Sequence, residues 1–257
     1  MAYTFSHPAA ILPLRKHLPF SALIVGSMAP DFLYFIPGVP HSHYGHSTQG
    51  IFTFSLPASL FVLWLFHTVL KKPWMRLLPY SHQQRLVALQ GPFRFGGTRR
   101  FFTLLFTAFI AIETHIWWDA FTHSQGFFPK HFSALKATVI PGYQVYGLLQ
   151  IFTSVLGAVI ILIAYLRWYH QAPAQEVDGY YRISGRWKIT VLVTIVSLAG
   201  LAVILFPSQP SHPDAYSKAA SGIMDLTRAV LVQAIALAVL WMPRKRVAPV
   251  AESTAST

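Results

Sequence analysis

The sequence predicts an all-α fold: a polytopic membrane helical bundle with five full spans plus an N-terminal hairpin, or six spans. Three observations predict it. Hydrophobic residues make up 54% of the 257 residues and charged residues only 11%, far from the balance of a soluble domain. The apolar residues gather in runs near the roughly 20 residues that a helix needs to cross a bilayer. The positive charges lie mostly between those runs, where they set orientation in a membrane.

Residues 1–17 are mixed, with His7, Pro8, Pro13 and the basic trio Arg15, Lys16 and His17. Met1 to Phe5 lacks the basic start of a cleavable signal peptide and the apolar core that follows it. Pro8 suits a helix start, where a proline costs no helical hydrogen bond. Leu18-Pro19 interrupts, and an apolar stretch runs from Phe20 to about Ile36 with Gly26, Pro30 and Asp31 inside it. A straight crossing and a re-entrant helical hairpin both fit this pattern. In a hairpin, residues 8–17 form an arm of about 15 Å, which places Arg15 and Lys16 near mid-membrane.

Pro37 to Gly50 reads as a loop rich in Gly, Pro, Ser and His. A span at Ile51 to Leu70 tolerates Pro57, as membrane helices can. Residues 71–100 then carry seven basic residues (Lys71, Lys72, Arg76, Arg85, Arg94, Arg99 and Arg100) and no acid. The positive-inside rule places this loop in the cytoplasm. Further spans follow at about Phe101 to Trp118, Gln144 to Trp168, Ile189 to Phe206 and Ala229 to Met242. Residues 1–246 read as a single integral-membrane helical domain, with the candidate metal site in 1–130. Residues 247–257 read as a disordered tail.

The net charge of +12 therefore calls for no nucleic acid. The chain has no cysteine, so any metal must be held by His, Asp or Glu. Asp31, Glu113 and Asp119, the first three of the eight acids, sit in or at the ends of apolar runs. No Lys or Arg lies in the apolar part of the first three runs to neutralise them. Ionisable groups at membrane depth are costly and mark function.

The stretch Glu113 to His123 reads ETHIWWDAFTH. His115 and Asp119 are four apart and share a helix face; His123 joins them if the helix continues that far. Such a row suits Zn²⁺ or a similar ion, and suits equally a polar helix end at the interface. With 71–100 cytoplasmic, alternation brings Asp31, His46, His115, Asp119 and His123 to the same outer face. His46 is preferred over His41 and His43 because it lies nearest the span. His7 arrives there only if the chain folds back. Glu113 falls on another face, and Trp117 and Trp118 suit an interfacial aromatic belt.

Four blocks carry a resemblance: FSHPAAILPLR, ALIVGSMAPDFLYF, GHSTQGIFTFSLP and ETHIWWDAFTH. Together they resemble a bacterial membrane family of unknown function, number 4184 among such domains, most strongly over roughly residues 3–130. In order and chemistry they are also similar to inner-membrane metal-dependent hydrolases of the LexA-regulated group. More distantly, the His-x-x-x-Asp helix is similar to the zinc-dependent phospholipase C architecture. The resemblance implies a bacterial inner-membrane protein with a divalent metal, zinc, held by His7, Asp31, His46, His115 and Asp119. It implies hydrolysis of a phosphoester or lipid-linked substrate among membrane lipids, with Asp119 and His123 as catalytic groups. One departure stands out: the hydrolases carry Asp-x-Asp-His after the proline, whereas Asp31 is followed by Phe32, Leu33 and Tyr34. A proton- or ion-coupled transporter and a non-catalytic protein with a structural metal are the competing expectations.

Overall fold

The structure, a computed structural model, describes residues 3–36, 43–91, 93–177, 179, 183–206 and 215–241. It is helical apart from a short antiparallel pair, Thr138–Ile140 with Tyr143–Gln144. Among the described residues, five helices are long and apolar enough to cross a membrane. The chain is a membrane helical bundle.

The N-terminal segment folds back on itself. Helix α1 (Pro8–Ile11) begins at its proline and continues as a 3-10 turn over Leu12–Lys16. The chain turns at His17–Pro19, where Pro19 caps α2 (Phe20–Met28). A 3-10 segment, Ala29–Phe35, extends α2 and carries Pro30 and Asp31. Ile11, Leu23 and Ala111 close a core between the two limbs and the helix over Thr98–Thr122, with Leu14, Leu18 and Ile24 around it.

Helix α3 runs through Thr48–Leu77. Ser47 caps it by accepting from the Gly50 backbone N–H at 3.0 Å, which fixes the chain just after His46. Two π turns, Ile51–Ser55 and Phe66–Leu70, interrupt its α-geometry. Each precedes a proline, Pro57 or Pro73, by a few residues. A proline has no N–H to give and crowds the carbonyl four residues back, and the wider turn absorbs that misfit. Lys71, Lys72 and Arg76 are therefore helical residues at the end of α3, where the sequence reads as a loop. A short helix, α4 (Tyr80–Leu86), follows.

Helix α5 (Thr98–Thr122) is the central element, followed by α6 (Phe127–His131). Helix α2 runs alongside α5 in the same direction, with Ala22 against Leu104 and Gly26 against Ala108. A Cβ at Gly26 would stand 2.6 Å from the Ala108 carbonyl oxygen and 2.9 Å from the Ala111 Cβ. Small residues let membrane helices approach backbone to backbone, and this contact sets the register. The same register puts Pro19 level with the first turns of α5. Arg15 and Lys16, both exposed, thus lie toward the Arg99–Arg100 end rather than at mid-membrane. The arm reaches deeper than an α-helix of its length because five of its residues rise as a 3-10 turn, at about 2.0 Å each.

Helices α7 (Val145–Gln171), α8 (Gly185–Leu205) and α9 (Ala215–Leu240) complete the bundle. The last helix starts well before Ala229, because Asp225 and Arg228 neutralise each other at 2.9 Å within it. Arg228 Nε also donates to the Tyr34 carbonyl at 2.6 Å, tying α9 to the segment that carries Asp31. Ala238 packs on Val69 and Leu70 of α3.

Candidate metal centre

Helix α5 presents His115 about 26 Å from Thr98 along its axis, at 1.5 Å per residue. That is nearly the full hydrocarbon thickness of about 30 Å, so the site lies at the end of the bundle opposite the arginines. Four segments meet there: the N-terminal turn, the Ala29–Phe35 segment, the loop before α3, and the last two turns of α5.

Four side chains converge on one point. His46 Nε2 stands 3.2 Å from His115 Nε2, 3.3 Å from Asp119 Oδ2 and 3.4 Å from Asp31 Oδ1. His115 Nε2 stands 3.3 Å from Asp119 Oδ2 and 3.6 Å from Asp31 Oδ1. Each of these residues offers a ligand atom within 4.8 Å of the others. Four zinc ligands at about 2.0–2.1 Å in a tetrahedron stand roughly 3.3–3.4 Å apart. The group can hold a metal ion.

The hydrogen bonds point the same way. His115 Nδ1 lies 2.7 Å from the Ser27 carbonyl, which can only accept, so this nitrogen carries the proton. With Nδ1 so engaged, His115 turns Nε2 toward His46, Asp31 and Asp119, an arrangement that a bound cation in place of a proton would stabilise. Asp31 Oδ2 accepts from Thr4 Oγ1 at 2.6 Å, while Asp31 Oδ1 is buried without a hydrogen-bond partner among the described residues. A buried carboxylate oxygen without a hydrogen bond is costly, and a metal ion would satisfy it.

Gly45 lets the loop press against the Asp31 segment. A Cβ there would run into the Pro30 carbonyl oxygen, so this glycine holds His46 against Asp31. His43 lies outside the group, its ring 6.2 Å from that of His46. His41 is outside the described residues.

His7 and His123 flank the group at the other oxygen of Asp119. His7 Nε2 lies 3.2 Å from Asp119 Oδ1, and its ring stacks on His115 at 3.7 Å. The fold-back thus brings His7 to Asp119. His123 Nδ1 lies 3.5 Å from Asp119 Oδ1, although α5 ends at Thr122 and His123 is its extended cap residue. Its backbone N–H and Nδ1 both approach the Asp119 carbonyl, at 3.1 and 3.2 Å. Glu113, half-buried on another face, stands apart from the group.

Thr4, Ser27 and Tyr34 belong to the surroundings of the site, and the sequence gives little sign of them. Ser27 acts through its carbonyl, which any residue would supply. Thr4 contacts a residue 27 positions away, beyond the reach of a spacing argument. Tyr34 is buried with its ring 6.4 Å from His46.

Burial opposes a charge on His46, but the Asp119 and Asp31 carboxylates close to its Nε2 outweigh it and raise its pKa. A metal must displace that proton. Metal affinity should therefore be full above the raised pKa and fall as pH drops through it. Equilibrium dialysis across a pH series should show metal release on the acid side; retention independent of pH would exclude His46 as a ligand.

No curated protein and no solved structure matches the chain. A family model described as a domain of unknown function, DUF4184, matches residues 1–242. That match covers nearly the whole chain, and the protein belongs to the DUF4184 family.

Proposed function

We propose that the protein is a membrane-embedded metal-dependent hydrolase acting on a phosphoester or lipid-linked substrate, with Zn²⁺ as the metal. The observation that carries this reading is the convergence of Asp31, His46, His115 and Asp119 on one point, with two further imidazoles on the free side of Asp119. A bound metal would lower the pKa of a coordinated water to about 7 and polarise the scissile group. The chain's own groups do the rest. Asp31, His46, His115 and Asp119 hold the ion, and His7 steadies Asp119 and stacks on His115. With Nδ1–H donated to the Asp119 carbonyl, His123 keeps Nε2 as a proton acceptor on a ring next to Asp119, suited to a general base. The bacterial inner membrane suits the five apolar helices and the family resemblance.

A second reading has its own support. Four protein ligands complete a tetrahedral shell, and closed shells are typical of structural zinc. A hydrolytic role needs the shell to open or a carboxylate to yield its place to water. Grouping at one end of the bundle gives no comparable support to a transport path, which needs polar groups through the whole thickness.

Turnover separates the two readings. Purified protein in nanodiscs should hydrolyse a soluble phosphomonoester or phosphodiester, and chelation should abolish the activity. His123→Ala should lower the rate by about 10²–10⁴ with bound metal unchanged. Full metal content with no hydrolysis of either ester class would favour the structural reading.

A further inference from the structure

Beside the metal group, α5 and α7 flank an open lateral groove of about 460 Å³ lined by Thr114, Trp117, Trp118, Phe121, Thr122, Leu149 and Thr153. Its volume falls within the range of small-molecule sites, about 300–1,000 Å³. The α5 residues Thr114, Trp118 and Thr122 are spaced by four and form one stripe. His115, Asp119 and His123 form the next stripe round the same helix. The groove therefore runs alongside the metal group for about 12 Å, from Thr114 to Thr122.

Its walls are apolar for a local reason. Thr114 donates to the Ala111 carbonyl at 2.8 Å and Thr153 to the Leu149 carbonyl at 2.7 Å. Thr122 approaches the Trp118 carbonyl at 3.3 Å. Their hydroxyls are thus satisfied within the protein, which leaves the groove apolar. Trp118 Nε1 donates to Thr153 Oγ1 at 3.1 Å, which holds the indole as a fixed wall between α5 and α7. The other side of that indole lies 5.4 Å from the His7 ring. At the upper end, Thr122 Oγ1 reaches His123 Nδ1 at 3.2 Å. Trp117 and Phe121 are exposed near the end of a membrane-spanning helix, so the open side of the groove faces the bilayer near its interface.

We propose that this groove seats the hydrocarbon chain of an anionic phospholipid whose phosphate lies beside His123, on the cation that Asp31, His46, His115 and Asp119 would hold. The proposal rests on the hydrolase reading for the head group and on the groove for the chain. A lipid in the outer part of the bilayer would enter sideways without leaving the membrane, its chain lying beside Trp118 and its phosphate at the metal end. A chain seated here has fixed walls of Trp118 and Leu149, whereas bulk lipid meets the exposed faces of α7 and α8 without such walls.

The test is photolabelling in phosphatidylcholine nanodiscs with phosphatidic acid that carries a diazirine in its acyl chain. The label should concentrate on peptides containing Trp117, Trp118, Phe121 and Leu149. Excess unlabelled phosphatidic acid should compete it away at least tenfold better than phosphatidylcholine does. Thr114→Trp, which fills the groove, should remove the competable label while leaving metal content unchanged; Leu149→Trp should act alike from the other wall. Label spread evenly over exposed faces of all spans, or label indifferent to both substitutions, would overturn the proposal. The hydrolase reading fails by a different result: no metal-dependent turnover of soluble esters, whatever the labelling shows.

Discussion

Replacing His115 by alanine is expected to lower metal affinity by roughly 100-fold or more, since loss of an outer partner alone costs about 10–100-fold. His115 is fully buried and makes close contact with His46, Asp31 and Asp119 at once. Its removal takes away one ligand and also the group that orients the others. Asp119→Ala should match it, because Asp119 contacts His7, His46 and His115 together. Glu113→Ala is the control on the same helix and should retain most of the metal. Elemental analysis of the three variants after gel filtration checks the pattern. Metal lost from Glu113→Ala and kept in His115→Ala would place the site on the wrong face of α5.

Substituting Gly26 by leucine should be strongly damaging although Gly26 is not itself a ligand. Its missing Cβ would already stand 2.6 Å from a backbone oxygen, and backbone on both sides leaves nowhere to move. Overpacking a filled contact costs typically about 1–3 kcal/mol, and a backbone clash belongs at or above the upper end. Helix α2 would be pushed off α5, taking with it Ser27, which orients His115, and Asp31. The expected outcome is a loss of thermal stability in detergent together with loss of bound metal. Normal stability with normal metal content would mean that the α2–α5 contact does not position the site.

The parts of this molecule that obey a period were legible in its sequence. His115 and Asp119 share a face by spacing alone. The convergence of Asp31 and His46 with them followed from alternation. His7 was conditional on a fold-back, and the turn at Leu18-Pro19 meets that condition. Hydropathy was least informative where polar groups satisfy each other inside a span. Asp225 and Arg228 look like a loop until they pair, so the last helix begins earlier than its apolar run. Arm depth was also hidden, because the 3-10 rise and the Gly26 register are properties of packing. The carbonyl of Ser27 and the hydroxyl of Thr4 complete the site through contacts that no local pattern announces.

The most direct test of the central claim is zinc-edge X-ray absorption on the wild-type protein purified in detergent, with metal content measured on the same sample. The account predicts about one tightly held zinc per chain, with nitrogen and oxygen ligands at roughly 2.0–2.1 Å and the scattering signature of two imidazoles. Protein that is folded but binds no zinc above background, or zinc whose shell lacks imidazole, would contradict it.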